Sequence, residues 1–307
     1  VSPSDAVLLV AFGGPEQPED VRPFLERVTA GRGIPPARLA EVARHYERIG
    51  GRSPLGAWTR RQAEALGRAL AARGDRRPVY VGMRHWHPFL ADTLAAMAGR
   101  GHRHARVIVL SAFQVEASWD RYLADVTAAR AAAGARAPEV SFAPCPGTRP
   151  GYAAAVAARV RDALDLLGPE RRAGAALLFT AHSVPVAMAA GAPYAAQLAA
   201  AAADVAARVG AGAWSVAYQS RSGPPREPWL EPDVAGALRE LAAGGTRDVV
   251  VVPIGFVCDH VEVLYDLDVE ARARAGALGL GFHRAQAVND HPGFIELLAE
   301  LAADAPL

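Results

Sequence analysis

The sequence predicts an α/β protein of two similar Rossmann-like halves, each a mainly four-stranded parallel sheet flanked by helices, with a cleft between them. Three observations carry this expectation. Short runs rich in Val, Leu and Ile alternate with helical patterns almost from end to end, as strands buried on both faces and their crossover helices must. These runs fall into two sets of four. Several of them end abruptly in polar tips, the place where open α/β sheets bind ligands.

In order, the first run is 6–12 (AVLLVAF), which ends in Gly13-Gly14-Pro15. Helical spacing follows at 18–30, 37–48 and 57–73. The run 78–83 (PVYVGM) ends in Arg84-His85-Trp86-His87, before a helix at 88–100. The run 106–112 (RVIVLSA), a helix at 117–134 and a run at 139–143 complete the first set. A helix at 150–167 leads to 175–181 (AALLFTA), which ends in His182-Ser183. A helix at 190–208, the run 213–218 (AWSVAY) ending in Gln219-Ser220-Arg221, and a helix at 232–243 come next. The run 248–254 (DVVVVPI) leads to Asp259-His260-Val261-Glu262 and a helix at 260–275. A weaker run at 279–284 and a helix at 291–303 close the chain. We place the boundary in the joining helix, giving halves 1–155 and 156–307, with the last helix packing back on the first half.

Bulk properties exclude several classes. With 307 residues, 51% of them apolar, the chain has enough material for a real core. The 33 basic and 32 acidic residues leave a net charge of +1, which gives no general attraction to nucleic acid or acidic membranes. Two cysteines, Cys145 and Cys258, exclude a disulfide scaffold and fit a reducing, cytoplasmic compartment. They also exclude a complete four-cysteine metal site. No apolar stretch reaches the ~20 residues of a membrane span, so the chain reads as soluble.

Two segments carry the chemistry: Phe179-Thr180-Ala181-His182-Ser183-Val184-Pro185, and the stretch from Pro253 to Glu262. Each is an apolar run with a polar tip. An imidazole facing a carboxylate suits both metal binding and proton transfer. From Glu262, Asp266 and Glu270 recur in steps of four along one helix face, with Asp268 off register. Asp259 reads as a helix N-cap. Glu270 lies two turns in, beyond the helix dipole's reach, and the acidic row reads either as a solvated helix face or as a cation path. The stretch from Tyr46 to Leu55 mixes Arg, Ser and turn residues and suits a carboxylate-bearing ligand. Trp86, Trp119, Trp229 and Tyr218 are packing residues or walls for a flat aromatic ligand. Gly13-Gly14 matches no phosphate-loop pattern, and Pro15 removes a donor. A tight turn with close backbone approach is the better reading.

These residues resemble ferrochelatase. Leu8 to Glu16 is similar to the family's opening strand and loop. Tyr46 to Leu55, with Trp58-Thr59 and Gln62, resembles its R-I-G-G-x-S-P stretch. Phe179 to Pro185 matches T-A-H-S-x-P. Tyr218 to Pro224 with Trp229-Leu230-Glu231-Pro232 resembles Y-Q-S-[KR]-x-G-P and W-L-x-P. Pro253 to Glu262 is similar to P-I-x-F-x-x-D-H-[IV]-E. The matches keep the family's order along the chain.

The resemblance implies a chelatase-type fold and insertion of Fe²⁺ into a porphyrin in haem biosynthesis. It implies that His182 faces Glu262 across the porphyrin centre, both as metal ligands and as acceptors of the pyrrole protons. Asp266 and Glu270 become the acidic ladder beyond, on a stretch that is often π-helical in this family. Arg38, Tyr46 and Ser53 fall where propionates are held; Phe12, Trp86 and Tyr218 contact the ring. Asp259 and His260 support the carboxylates. No cofactor beyond the substrate Fe²⁺, and no complete iron–sulfur cluster, is expected. The expected partners are the porphyrin and Fe²⁺, without nucleic acid or membrane insertion, for a monomer with at most transient contacts to neighbouring haem-pathway enzymes. Phe12 stands where some members carry Tyr, and Arg52 where many carry Gly. The segment Gly31-Arg32-Gly33-Ile34-Pro35 resembles high-GC Gram-positive members, which favours coproporphyrin III over protoporphyrin IX. The rival readings are a chelatase for another metal or tetrapyrrole, and a non-catalytic porphyrin- or haem-binding protein.

Overall fold

The computed structural model describes residues 4–31, 33–223 and 226–303. It contains two four-stranded parallel sheets. The first is formed by β1 (Ala6–Ala11), β2 (Val79–Met83), β3 (His104–Val109) and β4 (Glu139–Phe142), in the order β2-β1-β3-β4. The second is formed by β5 (Ala176–His182), β6 (Trp214–Gln219), β7 (Asp248–Val252) and β8 (Gly281–Arg284), in the order β6-β5-β7-β8. All eight runs expected from the sequence are strands, displaced by at most two or three residues.

The central strands explain why the pattern was readable. In β1, Ala6, Leu8 and Val10 join one core cluster with Leu94, Met97 and Val126. Val7 and Leu9 point to the opposite face and are also fully buried. A strand covered on both sides has no polar alternation to show. Each such Leu or Val contributes about 1.5–3 kcal/mol by leaving water. In the second sheet, Leu178, Val249 and Val251 do the same against Leu238, Val263 and Leu267.

The chain forms two compact units. One holds the first sheet, with residues up to Leu110, Ser118–Pro146 and those from Ile295 onward. The other holds the second sheet, with Ser111–Ala117 and Gly147–Phe294. A boundary at 155/156 falls inside the helix Pro150–Asp165. That helix packs on β7 and on the helix Tyr194–Val209, so all of it belongs to the second unit. The C-terminal segment is tied within the first unit, where Arg106 Nε donates to the Leu301 carbonyl at 3.1 Å and Arg77 Nη2 to that of Ala302 at 3.0 Å.

Two short helices, Pro169–Gly174 and Val186–Ala190, escaped the sequence reading. Both are shorter than the window in which helical periodicity shows. The helix expected at 260–275 is three pieces: Val261–Leu264, a π-helical turn Asp266–Ala271, and Arg272–Ala277. No helix among the described residues is long and apolar enough to cross a membrane.

Candidate metal and proton site

Three strands of the second unit bring the polar tips together at their carboxyl ends. His182 is the last residue of β5 and is in register with Gln219, the last residue of β6. The loop after β7 leads into the helix that starts at Val261. Gly255 in that loop approaches β5 so closely that a Cβ there would lie 2.5 Å from Ala181 Cβ. The peptide N–H of Gly255 donates to the Thr180 carbonyl at 3.0 Å.

His182 Nε2 lies 3.4 Å from Glu262 Oε1, and the two side chains remain 31% and 38% exposed. Nδ1–H of His182 donates to the Ser183 carbonyl, so the neutral ring keeps its lone pair on Nε2, towards Glu262. Burial works against an imidazolium here. The Glu262 charge and hydrogen bond, the Ser183 carbonyl and the Asp266 charge outweigh it, pushing the His182 pKa up to about 9. Burial likewise opposes the Glu262 carboxylate, but the His182 charge and hydrogen bond hold its pKa down to about 2. Without a metal, the pair at neutral pH is imidazolium and carboxylate.

The supports of this pair are specific. Tyr194 Oη donates to the His182 carbonyl at 2.8 Å. Gln219 Nε2 donates to the Glu262 carbonyl at 2.6 Å. Ser220, with a left-handed φ of 61°, donates its hydroxyl to Asp266 Oδ2. Burial, reinforced by Glu262 and Glu270, raises the Asp266 pKa to about 7 despite the Ser220 hydrogen bond and the His182 charge. A carboxyl so poised exchanges protons near neutrality. Glu270 is exposed. Among the described residues no three His, Cys, Asp or Glu groups converge to hold one ion. The acids do not form a cage.

One sequence reading is corrected. Asp259 is not the N-cap; His260 is, its Nδ1 accepting from the Glu262 N–H at 3.1 Å. Burial lowers the His260 pKa and keeps the ring neutral, as an accepting nitrogen requires. Asp259 is buried and ion-paired to Arg284 instead. The reason is the turn geometry: the chain enters the helix one residue later than the acidic pattern suggests.

The motif around Trp229 is explained by contacts to the His182 tip. Ser183 Oγ donates to the Leu230 carbonyl at 2.9 Å, and Leu230 N–H donates to the Val184 carbonyl at 3.0 Å. Tyr218 is buried at the end of β6, where burial raises its phenol pKa. Pro224 and Arg32 lie outside the described residues.

The remaining candidates lie in the first unit. Phe12, at the β1 tip, meets Phe24 and His85 at ring-centroid distances of 6.3 and 4.5 Å. Phe24 also meets Tyr46 at 6.3 Å and Trp86 at 6.0 Å. Gly13 has φ +88°, and a Cβ there would lie 2.8 Å from the Trp86 nitrogen, so the Gly-Gly loop is the expected tight turn. Tyr46 and Ser53 are buried, and Ser53 Oγ accepts from the Leu55 N–H at 3.3 Å. Arg38 is half-exposed and pairs with Glu41 at 2.7 Å. Gln219, Ser220, Tyr194 and Arg284 were not singled out as site residues. The strand-end rule that found His182 would have found three of them, since Gln219, Ser220 and Arg284 also sit at carboxyl ends of strands.

Two parallel α/β sheets with an imidazole–carboxylate pair at one set of strand ends define a chelatase-like protein. The fold agrees: a multi-domain protein of Deinococcus radiodurans, described as similar to chelatases, superimposes with TM-score 0.60 at 18% identity. That match covers 99% of this chain but spans 56% of the longer one. SirB from Bacillus subtilis with Fe³⁺ gives TM-score 0.57 at 12% identity, over 97% and 95% of the two chains. The chain belongs to the ferrochelatase family, whose model matches residues 4–305. It is 47% identical to a coproporphyrin III ferrochelatase of Nocardia farcinica, over 97% of this chain and 87% of that one. It is 46% identical to one of Mycolicibacterium smegmatis (97% and 88% covered) and 41% identical to a ferrochelatase of Rhodopirellula baltica (98% and 86%). It is an enzyme that inserts Fe²⁺ into a porphyrin in haem biosynthesis.

Proposed function

We propose that the porphyrin is coproporphyrin III and that His182 and Glu262 perform the exchange of two protons for one metal ion. The observation that carries the roles is the 3.4 Å contact between His182 Nε2 and Glu262 Oε1 on a partly exposed strand end. The porphyrin choice is supported by the names of the Nocardia and Mycolicibacterium relatives.

A flat porphyrin hides its nitrogens, two of which carry protons, so insertion needs a bent ring, two deprotonations and a stripped ion. Glu270 and Asp266 pass the hydrated ion towards Glu262, each carboxylate replacing water in turn. Glu262 then trades its imidazolium partner for the dication, and His182 gives its Nε2 proton to solvent at the partly exposed strand end, becoming a free base. The pyrrole protons leave through His182 Nε2, with Asp266 as the next group able to carry them. Arg38, Tyr46 and Ser53 bind peripheral carboxylates, and Phe12, Trp86 and Tyr218 contact the ring. Binding energy from that periphery favours the distorted ring. Asp259 and His260 set the position of Glu262. The enzyme works as a monomer in the cytoplasm, with no cofactor besides its substrate ion.

The test is anaerobic Fe²⁺ insertion, followed by loss of free-porphyrin fluorescence, with coproporphyrin III and protoporphyrin IX compared by kcat/KM. Preference for coproporphyrin III is expected. A preference for protoporphyrin IX overturns the substrate, and stoichiometric binding without turnover of either overturns the roles.

A further inference from the structure

Five acids crowd one segment: Asp259, Glu262, Asp266, Asp268 and Glu270. A dication attracted to that segment has two ways to go astray, at Asp259 and at Asp268. Arg284, the last residue of β8, engages both. Its Nε donates to Asp268 Oδ1 at 2.8 Å and its Nη1 to Asp259 Oδ1 at 2.9 Å. Arg284 is 10% exposed and Asp259 9%. Asn289 closes the other side of Asp259: its Nδ2 donates to Oδ2 at 2.9 Å, and its Oδ1 accepts the Asp259 N–H at 2.8 Å.

One anchored acid precedes the metal row and the other lies within it, between Asp266 and Glu270. Asp259 precedes Glu262, and Asp268 follows Asp266 inside the π-helical turn. That turn has an unusual register, with the N–H groups of Val269 and Glu270 both donating to the Tyr265 carbonyl at 3.1 Å. A π-turn is rare because a regular α-helix is the better-bonded alternative. Something must hold it, and the Arg284–Asp268 contact is made within it.

We propose that Arg284 is a positioning residue for metal delivery. It pins the π-turn in register and keeps Asp259 and Asp268 from competing for the ion, leaving Glu262, Asp266 and Glu270 as the only stations. This rests on the metal-row reading above. A planar guanidinium can donate to two carboxylates in fixed, different directions, whereas a lysine ammonium is a single point charge on a flexible stem.

The experiment uses the full chain with Arg284→Lys, Arg284→Met and Asp268→Ala, measuring insertion with Fe²⁺ and porphyrin varied separately. We expect the KM for Fe²⁺ to rise about tenfold, the scale on which supports of metal ligands act, with kcat and the porphyrin KM little changed. Amide hydrogen exchange at Val269 and Glu270 should quicken relative to the β7 amides. Asp268→Ala keeps the buried Arg284–Asp259 pair and decides the matter if the Arg284 variants do not fold. An unchanged Fe²⁺ KM, or a loss of kcat in proportion to the folded fraction alone, overturns the proposal. Asp266→Asn is the control. If it raises the Fe²⁺ KM while Arg284→Lys and Asp268→Ala do not, the positioning role alone fails. If it also leaves that KM unchanged, the metal-row reading fails with it.

Discussion

His182 uses its two ring nitrogens differently: Nδ1 is spent on the Ser183 carbonyl, and Nε2 alone faces Glu262. Its removal should therefore abolish exchange without dismantling the fold. For His182→Ala we expect loss of turnover with porphyrin affinity nearly intact, read by fluorescence titration; near-normal turnover would sink the assignment. His260 acts through the backbone, capping the Glu262 N–H. His260→Ala should lower stability by about 1 kcal/mol, the usual scale of a lost N-cap, and reduce turnover. His260→Asn, a good capping residue, should recover most of both; urea midpoints and steady-state rates will tell. His182 and Glu262 were legible because each is a polar residue ending an apolar run. Gln219 and Arg284 end strands as well and were open to the same rule; Tyr194, inside a helix, and the partners of all three were not. Their bonds go to backbone carbonyls or to acids far along the chain, and such partnerships leave no local period.

The strands were legible for the opposite reason, since their burial on two faces imposes unbroken Val-Leu-Ile runs. The π-turn was not, because acids four apart suit an α-helix nearly as well, each step overshooting one turn by about 40°. The turn was expected only through resemblance. The Gly255 contact with β5 couples a loop to the strand that carries His182. Gly255→Ala should cost about 1–3 kcal/mol through overcrowding and lower kcat more than porphyrin affinity. Wild-type thermal stability and kcat would refute that coupling. At the other end of the sheet, Arg171 and, secondarily, His283 hold the Asp248 carboxyl below the usual carboxylate range, against its burial. A lowered carboxylate adds stability above its unfolded value of about 4, and loses it as pH falls through the folded value. Asp248→Asn should therefore be less stable than wild type at neutral pH, with the gap closing in acid. Urea midpoints across that range check it; a gap that persists in acid points to packing instead.

The two sheets share one winding: the first strand of each set lies between the second and the third, with the fourth at the edge. No sequence repeat announces this likeness, since only the apolar pattern is common to both sets. On the proposal that the enzyme needs no resident cofactor beyond its substrate Fe²⁺, pretreatment with a chelator, then its removal and resupply of Fe²⁺, should restore the full insertion rate. Lasting inactivation would reveal a tightly held structural metal. The second sheet and its helices lie almost wholly within Gly147–Phe294, whereas the first unit takes in residues beyond Ile295. A chain leaving the ribosome has the first four strands early, yet the carbonyls that receive Arg77 and Arg106 follow them by 225 and 195 positions, beyond the second unit's segment. The unit begun first is thus closed only after the second unit's segment has been made, and the buried Arg106 reaches its Leu301 partner only then.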